Sequence, residues 1–314
     1  MDIIVFGCGR MGQVRAQCAH RLGLNLVGVF DPDADRAEKI ATEYGSKRLN
    51  LEELDDWPHA DICFVCSPPD NHPKIATRFI NKGSHLLIEK PLALTASDAH
   101  PILSAAEASG AVVAVGHMNR VRPSVLELMR RLDGVHPFAI SAHWIGQPYG
   151  VPWWSDPVRS GGGLHEQGIH LIDLLTLIGG PVRRVCATID SQDDANNPSS
   201  VALSLTFERG GLANFLYSFC GKERSIDVGV FSAIGSCFLS DWSLDFHCGD
   251  QRVSGNADQP DKNWIFERET EWFVDSVRSG KLRRELSSLV AGMQTLRLMD
   301  AIRASYTSRT PVSL

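Results

Sequence analysis

In the stretch SGGGLHEQGIHLIDLL, residues 160–175, three glycines lead into a run that is apolar almost throughout yet carries Glu166, His170 and Asp173. At about 100° per residue in a helix, these three side chains fall within about 60° of one another, on one stripe. Burying carboxylates and an imidazole costs several kcal/mol unless they are paired or used. Glu166 and His170 stand four apart, near enough to hydrogen-bond or to share a substrate group. A histidine titrating near neutrality is suited to taking a proton from a hydroxyl. Asp173 reads as a structural partner of nearby backbone or of His170. His165 points roughly 100° off the stripe and is balanced between substrate contact and packing.

A second chemical signal lies at the other end of the chain. GCGRMG places Gly7, Gly9 and Gly12 in the GxGxxG spacing, directly after an apolar strand and at the start of a helix. That context gives the glycines a purpose: a tight turn, close approach of a pyrophosphate, and a helix N-terminus facing it. Asp31 ends the next apolar run, where a carboxylate would hold the ribose hydroxyls and repel a 2′-phosphate. NAD is therefore expected, with NADP less favoured. CSPPDNH (66–72) and EKPL (89–92) follow two further strands, at the carboxyl edge where a dinucleotide binds. From that edge Lys90 is within reach of a substrate beside the nicotinamide.

The elements that must position these residues divide at about 118. Residues 1–118 alternate apolar strands (2–6, 24–30, 60–66, 84–89, 111–117) with helical patterns, which implies a parallel sheet covered on both faces. One helix, DADRAEKIATEYG, ends at Gly45 as a C′ glycine. Residues 119–314 begin with one or two helices and continue with strands near 138–146, 182–190, 200–208, 211–219, 225–233 and 236–241. Helices are expected near 266–279 and 286–307. The polar run 190–200 reads as a loop. The expected fold class is α/β: a Rossmann doubly wound parallel sheet (1–118), then an α/β domain with a large, mostly antiparallel open sheet (119–314).

In this order, GCGRMG, DPDADRAEKIA, CSPPDNH, EKPLA, GHMNRVRP and GGGLHEQGIHLIDLL make the chain resemble the Gfo/Idh/MocA oxidoreductases over essentially its whole length. The resemblance implies a catalytic set of Lys90, Glu166 and His170. His170 would take the proton from a substrate hydroxyl, Lys90 would bond the reacting oxygen, and Glu89 would touch the nicotinamide ribose. Cofactor contacts are expected from Gly7, Gly9, Arg10, Met11, Gly12, Asp31, Ser67, Pro68, His72, Glu89 and Lys90. Substrate contacts are expected from Lys90, Asn119, Arg120, Trp153, Trp154, Glu166 and His170. The sequence departs from the family pattern in three places: Glu166 replaces an aspartate, His165 stands where an apolar residue is commoner, and MNRVRP carries Asn119 and Arg122. The resemblance also implies a homodimer or homotetramer assembled through the open sheet.

The reaction expected is hydride transfer between NAD and a secondary alcohol of a sugar, sugar derivative or inositol-like polyol. Trp153 and Trp154, with Asp156 and Arg159 nearby, offer the aromatic faces and hydrogen-bonding groups that suit such a ring. The alternatives are an NAD-dependent glycosidase working by transient oxidation and a non-enzymatic NAD- or ligand-sensing regulator. A net charge of −6 gives no basic excess for nucleic acid, and no apolar run is long enough to span a membrane. A strand starting at residue 2 leaves no room for a signal peptide, so a cytoplasmic location is expected. No histidine spacing supports a metal site. The eight cysteines are scattered and read as core thiols, including the CxxC of Cys63 and Cys66, whose members point to opposite faces of a strand.

Overall fold

In the computed structural model of the chain, which describes every residue except 52–55, 149, 191–192, 258, 260 and 262, the chain forms two units. The first comprises residues 1–93, 97–118 and 263–290. It is built on short apolar strands: β1 (Asp2–Phe6), β2 (Asn25–Phe30), β3 (Lys47–Arg48), β4 (Ile62–Val65), β5 (His85–Glu89) and β6 (Val113–Gly116). Helices α1 (Arg10–Arg21), α2 (Ala34–Tyr44), α3 (His72–Asn81) and α4 (Ala96–Ser109) connect them. Ile3 to Val5, Ile62 to Val65 and Leu86 to Ile88 are buried without a break, as strands covered on both faces require. Local signals set the boundaries of α2. The Asp33 carboxylate accepts the Asp35 and Arg36 amides, and Gly45 closes the helix at φ 67°.

The sheet order places β4 beside β1, with β5 and β6 beyond it and β2 and β3 on the other side. These six strands run parallel, and the edge strand β15 (Ser287–Ser288) pairs antiparallel with β6. Strand order reverses at β1, so the ends of β1 and β4 flank the switch point where doubly wound sheets bind ligands. Helix α8 (Trp264–Ser279) packs on α1 and belongs to this unit. The division expected at 118/119 thus omits a return of the chain: residues 263–290 group with the first unit.

The second unit comprises residues 94–96, 119–262 and 291–314. It carries α5 (Pro123–Arg131), β7 (Ala139–Ile145), α6 (Pro157–Ser160), α7 (Ile169–Gly179) and β8 (Val182–Ile189). There follow β9 (Ser200–Phe207), β10 (Leu212–Ser218), β11 (Ser225–Ser232), β12 (Gly235–Ser240), β13 (Asp245–Cys248) and β14 (Gln251–Val253). Helix α9 (Leu289–Ser308) and β16 (Val312–Ser313) end the chain. Nine strands form one sheet in the order β14-β13-β12-β11-β7-β10-β9-β8-β16, antiparallel throughout except where β10 runs parallel to β7. Burial alternates along β9 and β10 because one face packs a core and the other does not. That core draws Val201, Leu203, Leu205, Ala213, Phe215 and Tyr217 from the sheet, and Leu171, Leu174 and Leu175 from α7. Strands β13 and β14 extend the sheet beyond what alternation in the sequence reveals. No helix among the described residues is long and apolar enough to cross a membrane.

Candidate active site

The first unit gathers most of the expected cofactor residues around the ends of β1, β2, β4 and β5. Gly7 has φ +97°, and a Cβ there would sit 2.6–2.7 Å from the Cys66 carbonyl group and the Ser67 nitrogen. Only glycine lets the two loops meet this closely. Gly12 likewise has no room for a Cβ beside the Gly7 carbonyl. Gly9, in contrast, faces open space, and α1 begins there with no side chain capping its first amides. The Asp31 carboxylate is oriented by the amides of Cys8 (2.7 Å) and Asp33 (2.9 Å). The Ser67 hydroxyl is buried and has no partner among the described residues. Free amides at a helix N-terminus, an open space over Gly9, an oriented carboxylate and an orphan hydroxyl together fit a dinucleotide.

His72 departs from its expected role. It is fully buried, with Nδ1 2.9 Å from the Pro91 carbonyl oxygen and Nε2 2.7 Å from that of Ser67. Both ring nitrogens face backbone carbonyls, and the one N–H of the neutral ring donates to one of them, so His72, fully buried, braces the turn after β4 against the turn carrying Lys90 and presents no surface to a cofactor. Lys90 follows β5 directly and is half-buried.

Glu89 also has a partner that sequence reading does not supply. Its Oε1 accepts Arg15 Nε at 2.9 Å, and Arg15 Nη2 lies 2.7 Å from the same oxygen and 2.5 Å from Glu269 Oε2. Arg15 Nη1 donates to Thr270 Oγ1 at 3.0 Å and to the Phe266 carbonyl at 3.3 Å. Burial alone would lower the Arg15 pKa, but the two carboxylates hold it above its usual value. Glu89 Oε2 faces Gly116, where a Cβ would stand 3.0 Å from it. A signal for Arg15 does exist: it sits three residues after Gly12 and four before Ala19, on the face of α1 that must be buried. Glu269 lies 254 positions away and has no such signal.

In the second unit the chain does not enter α7 as a plain helix. Leu164–Gly168 forms a π turn, and the Ile169 amide returns to the Leu164 carbonyl, five residues back. The uniform 100° step that set His165 off the stripe of His170 does not hold through this segment. His165, Glu166 and Gln167 are all buried. The turn is held from outside by Tyr217, whose hydroxyl donates to Gln167 Oε1 at 3.0 Å, and by Gln167 Nε2, which donates to the Gln147 carbonyl at 2.9 Å. Gly163 makes room for that hydroxyl, since a Cβ there would lie 2.6 Å from it.

His170 is stacked on Trp144 of β7, with ring centroids 5.9 Å apart and planes inclined by 16°. Trp242 meets Trp144 edge-on at 5.5 Å, and the Arg224 guanidinium lies over Trp242 at 4.1 Å. Neither Trp144, which stacks on His170, nor Trp242 behind it is singled out by the sequence. Trp153 and Trp154 lie half-buried in a short turn, edge to face with one another at 5.9 Å. Asp173 has a partner that the sequence reading did not name: Arg120 Nε and Nη2 grip its two oxygens at 2.8 and 2.7 Å. This bidentate pair is buried and occupies one edge of the guanidinium expected to bind substrate. Asn119 is buried too, its Oδ1 accepting Arg122 Nε at 2.8 Å. Burial lowers the Arg122 pKa to about 10.

No group of His, Cys, Asp and Glu among the described residues could hold a metal ion. The CxxC carries no redox signature, since burial pushes the Cys63 thiol well up. Cys186 and Cys220, however, are exposed and not core thiols.

Two family models match the chain. Residues 1–117 match the oxidoreductase family with an NAD-binding Rossmann fold, and residues 135–236 match the GFO/IDH/MocA C-terminal domain. Oxidoreductase P35 of Formosa agariphila is 30% identical over 251 residues, covering 75% of this chain and 78% of that protein. Inositol 2-dehydrogenase 2 of Saccharopolyspora erythraea is 33% identical over 158 residues, 48% of this chain and 47% of its own length. GenD2 of gentamicin A biosynthesis, solved in complex with NAD, superposes with a TM-score of 0.85 at 21% identity, covering 100% of this chain and 96% of its own. The glycine turn that no Cβ would permit, the α/β architecture and these matches converge: the chain belongs to the Gfo/Idh/MocA family of oxidoreductases and binds NAD through its Rossmann domain.

Proposed function

We propose that the chain is a cytoplasmic NAD-dependent dehydrogenase acting on a secondary alcohol of a sugar, sugar derivative or inositol-like polyol. The observation that carries this reading is the His170 imidazole, buried on the catalytic face of α7 and stacked on Trp144. Stacking fixes the ring plane and shields one face from water, which suits a group that exchanges a proton with a positioned hydroxyl. His170 acts as the general base in oxidation. Glu166, on the π turn one helical step earlier, shares the polar side of the substrate. The Lys90 ammonium bonds the reacting oxygen and stabilises its alkoxide character. Bound NAD supplies the hydride acceptor. Arg120 and Asp173 form the frame that keeps α7 and its stripe in place, and Trp153 and Trp154 offer ring faces to the substrate. The polyol class is supported by the names of relatives, among them inositol 2-dehydrogenase 2.

We also propose that the open face of the nine-stranded sheet joins a second copy of the chain. Leu212, Leu216 and Phe238 are exposed large apolar side chains on its strands.

The test is NAD reduction across a panel of inositols, free sugars and nucleotide sugars, with His170→Ala and Lys90→Ala in parallel. Each substitution is expected to lower turnover by at least about a hundredfold, the scale of general acid–base catalysis, with NAD affinity little changed. Near-normal turnover in both variants would remove these assignments.

A further inference from the structure

Strands β12 and β13 form a hairpin with Phe238 opposite His247, Leu239 opposite Phe246 and Ser240 opposite Asp245. Continuing that register away from the turn brings Cys237 opposite Cys248. The two sulfurs are 2.7 Å apart, closer than the roughly 3.5–4.0 Å at which non-bonded heavy atoms rest. Their surroundings differ. Cys237 is buried beneath the sheet, and burial together with Cys248 pushes its thiol up to about 12. Cys248 is half-buried at the strand end, where Arg131 Nη1 of α5 donates to its sulfur at 3.6 Å. Arg131 is itself held by Glu127, which accepts its Nε at 3.1 Å and Gln251 Nε2 at 3.0 Å. A half-buried cysteine beside a guanidinium, backed by a buried one whose sulfur touches its own, is the arrangement of an attacking and a resolving cysteine.

We propose that Cys237 and Cys248 are a reversible redox site, forming a cross-strand disulfide when the protein meets hydrogen peroxide. The Cys248 sulfur, as thiolate, attacks one peroxide oxygen. The O–O bond breaks, leaving a sulfenic acid on Cys248 and a hydroxide that takes up the proton Cys248 gave to solvent. Cys237 then attacks the sulfenic sulfur, the S–S bond forms and the S–O bond breaks, and the departing hydroxide takes the Cys237 proton. Two thiols lose two electrons, and peroxide becomes two waters.

The bond would staple the hairpin at the end opposite its turn. That turn, residues 241–244, holds Asp241 and Leu244 at positive φ and carries Trp242 against Trp144, which stacks on His170. Oxidation therefore fixes the aromatic chain that leads to the imidazole. The chemistry of the pair does not depend on what reaction His170 performs.

Peptide mass mapping after graded hydrogen peroxide tests it on the full-length protein. Exposed Cys220, in the chain just after β10, serves as an internal reporter of oxidant dose. The expected result is one peptide pair linked through Cys237 and Cys248, released by dithiothreitol. The linkage should be absent in Cys248→Ser and Cys237→Ser, while Cys220 reacts as before. Oxidised wild type should gain a few degrees in Tm and change its tryptophan fluorescence, and oxidised Cys248→Ser should do neither. If both thiols stay free at a dose that has consumed Cys220, the site does not exist. It is equally ruled out if Cys248 goes on to sulfinic acid without a linked peptide. Both refuting outcomes are read on wild-type protein and do not rely on either variant folding.

Discussion

Replacing Arg15 by methionine would remove the guanidinium that Glu89 and Glu269 share. The side chains are 1%, 9% and 2% exposed respectively, so solvent gives almost no screening. Removing one partner of a buried ion pair costs about 3–5 kcal/mol, because the remaining charge is stranded. Lost hydrogen bonds to Thr270 and the Phe266 carbonyl add about 1 kcal/mol each. Burying an apolar side chain of similar length, and proton uptake by a carboxylate, offset part of this. A net loss of about 3–5 kcal/mol in urea unfolding at pH 7 is expected. Adding Glu269→Gln to Arg15→Met should restore about 1–2 kcal/mol by deleting one of the two stranded charges, a coupling typical of groups in contact. A loss below about 1 kcal/mol would refute the view that removing the shared cation dominates.

Two glycines of the nucleotide loop should behave oppositely. Gly7→Ala, at φ +97° and against Cys66, should destabilise the fold by more than about 1 kcal/mol. Gly9→Ala has space for its methyl and should melt as wild type, while weakening NAD binding about tenfold or more by calorimetry, since a tenfold loss is only about 1.4 kcal/mol. The reverse pattern would show that the open space over Gly9 is not where phosphate lies. His72 should give stability an acid limb. Burial lowers its pKa against the pull of the Ser67 and Pro91 carbonyls, so the folded state favours the neutral ring. Its contribution is complete above the unfolded value of about 6.5 and is lost as pH falls from there towards the lowered folded value. His85, lowered by burial too, acts in the same direction. Comparing Tm from about pH 7.5 to about 5 in wild type and His72→Gln isolates the His72 part, and identical slopes would remove it.

What the sequence made legible was local. Apolar runs with helical patterns between them mark the strands of the first sheet, and Asp33 and Gly45 bound α2 through neighbours within four residues. The alternation in VALSLTFE marks β9 because each side chain answers to one face of one sheet. Partnerships across long separations were not legible. Arg15 with Glu269 and Arg120 with Asp173 are joined by folding over 254 and 53 positions, and neither residue's flanks announce the other. The same holds for the return of residues 263–290 to the first unit and for the two-residue strands β15 and β16, too short to carry a period. At the site, glycine spacing pointed to the turn at Gly7. Trp144, whose ring stacks on His170, was hidden among ordinary strand residues.

The π turn at Leu164–Gly168 is one residue longer than the α-helical turn it replaces. Such a turn is the trace an inserted residue leaves in a helix. Deleting any one of these five positions would let α-helical bonding run straight through. Everything upstream would then rotate by about 100° relative to α7. Gly161, Gly162 and Gly163 would leave the clefts shaped for them by His165, Asn197 and Tyr217. Residue-by-residue correspondence with a relative that has a plain helix here must open a gap within 164–168. Where that gap falls decides whether Glu166 or His165 inherits the relative's position.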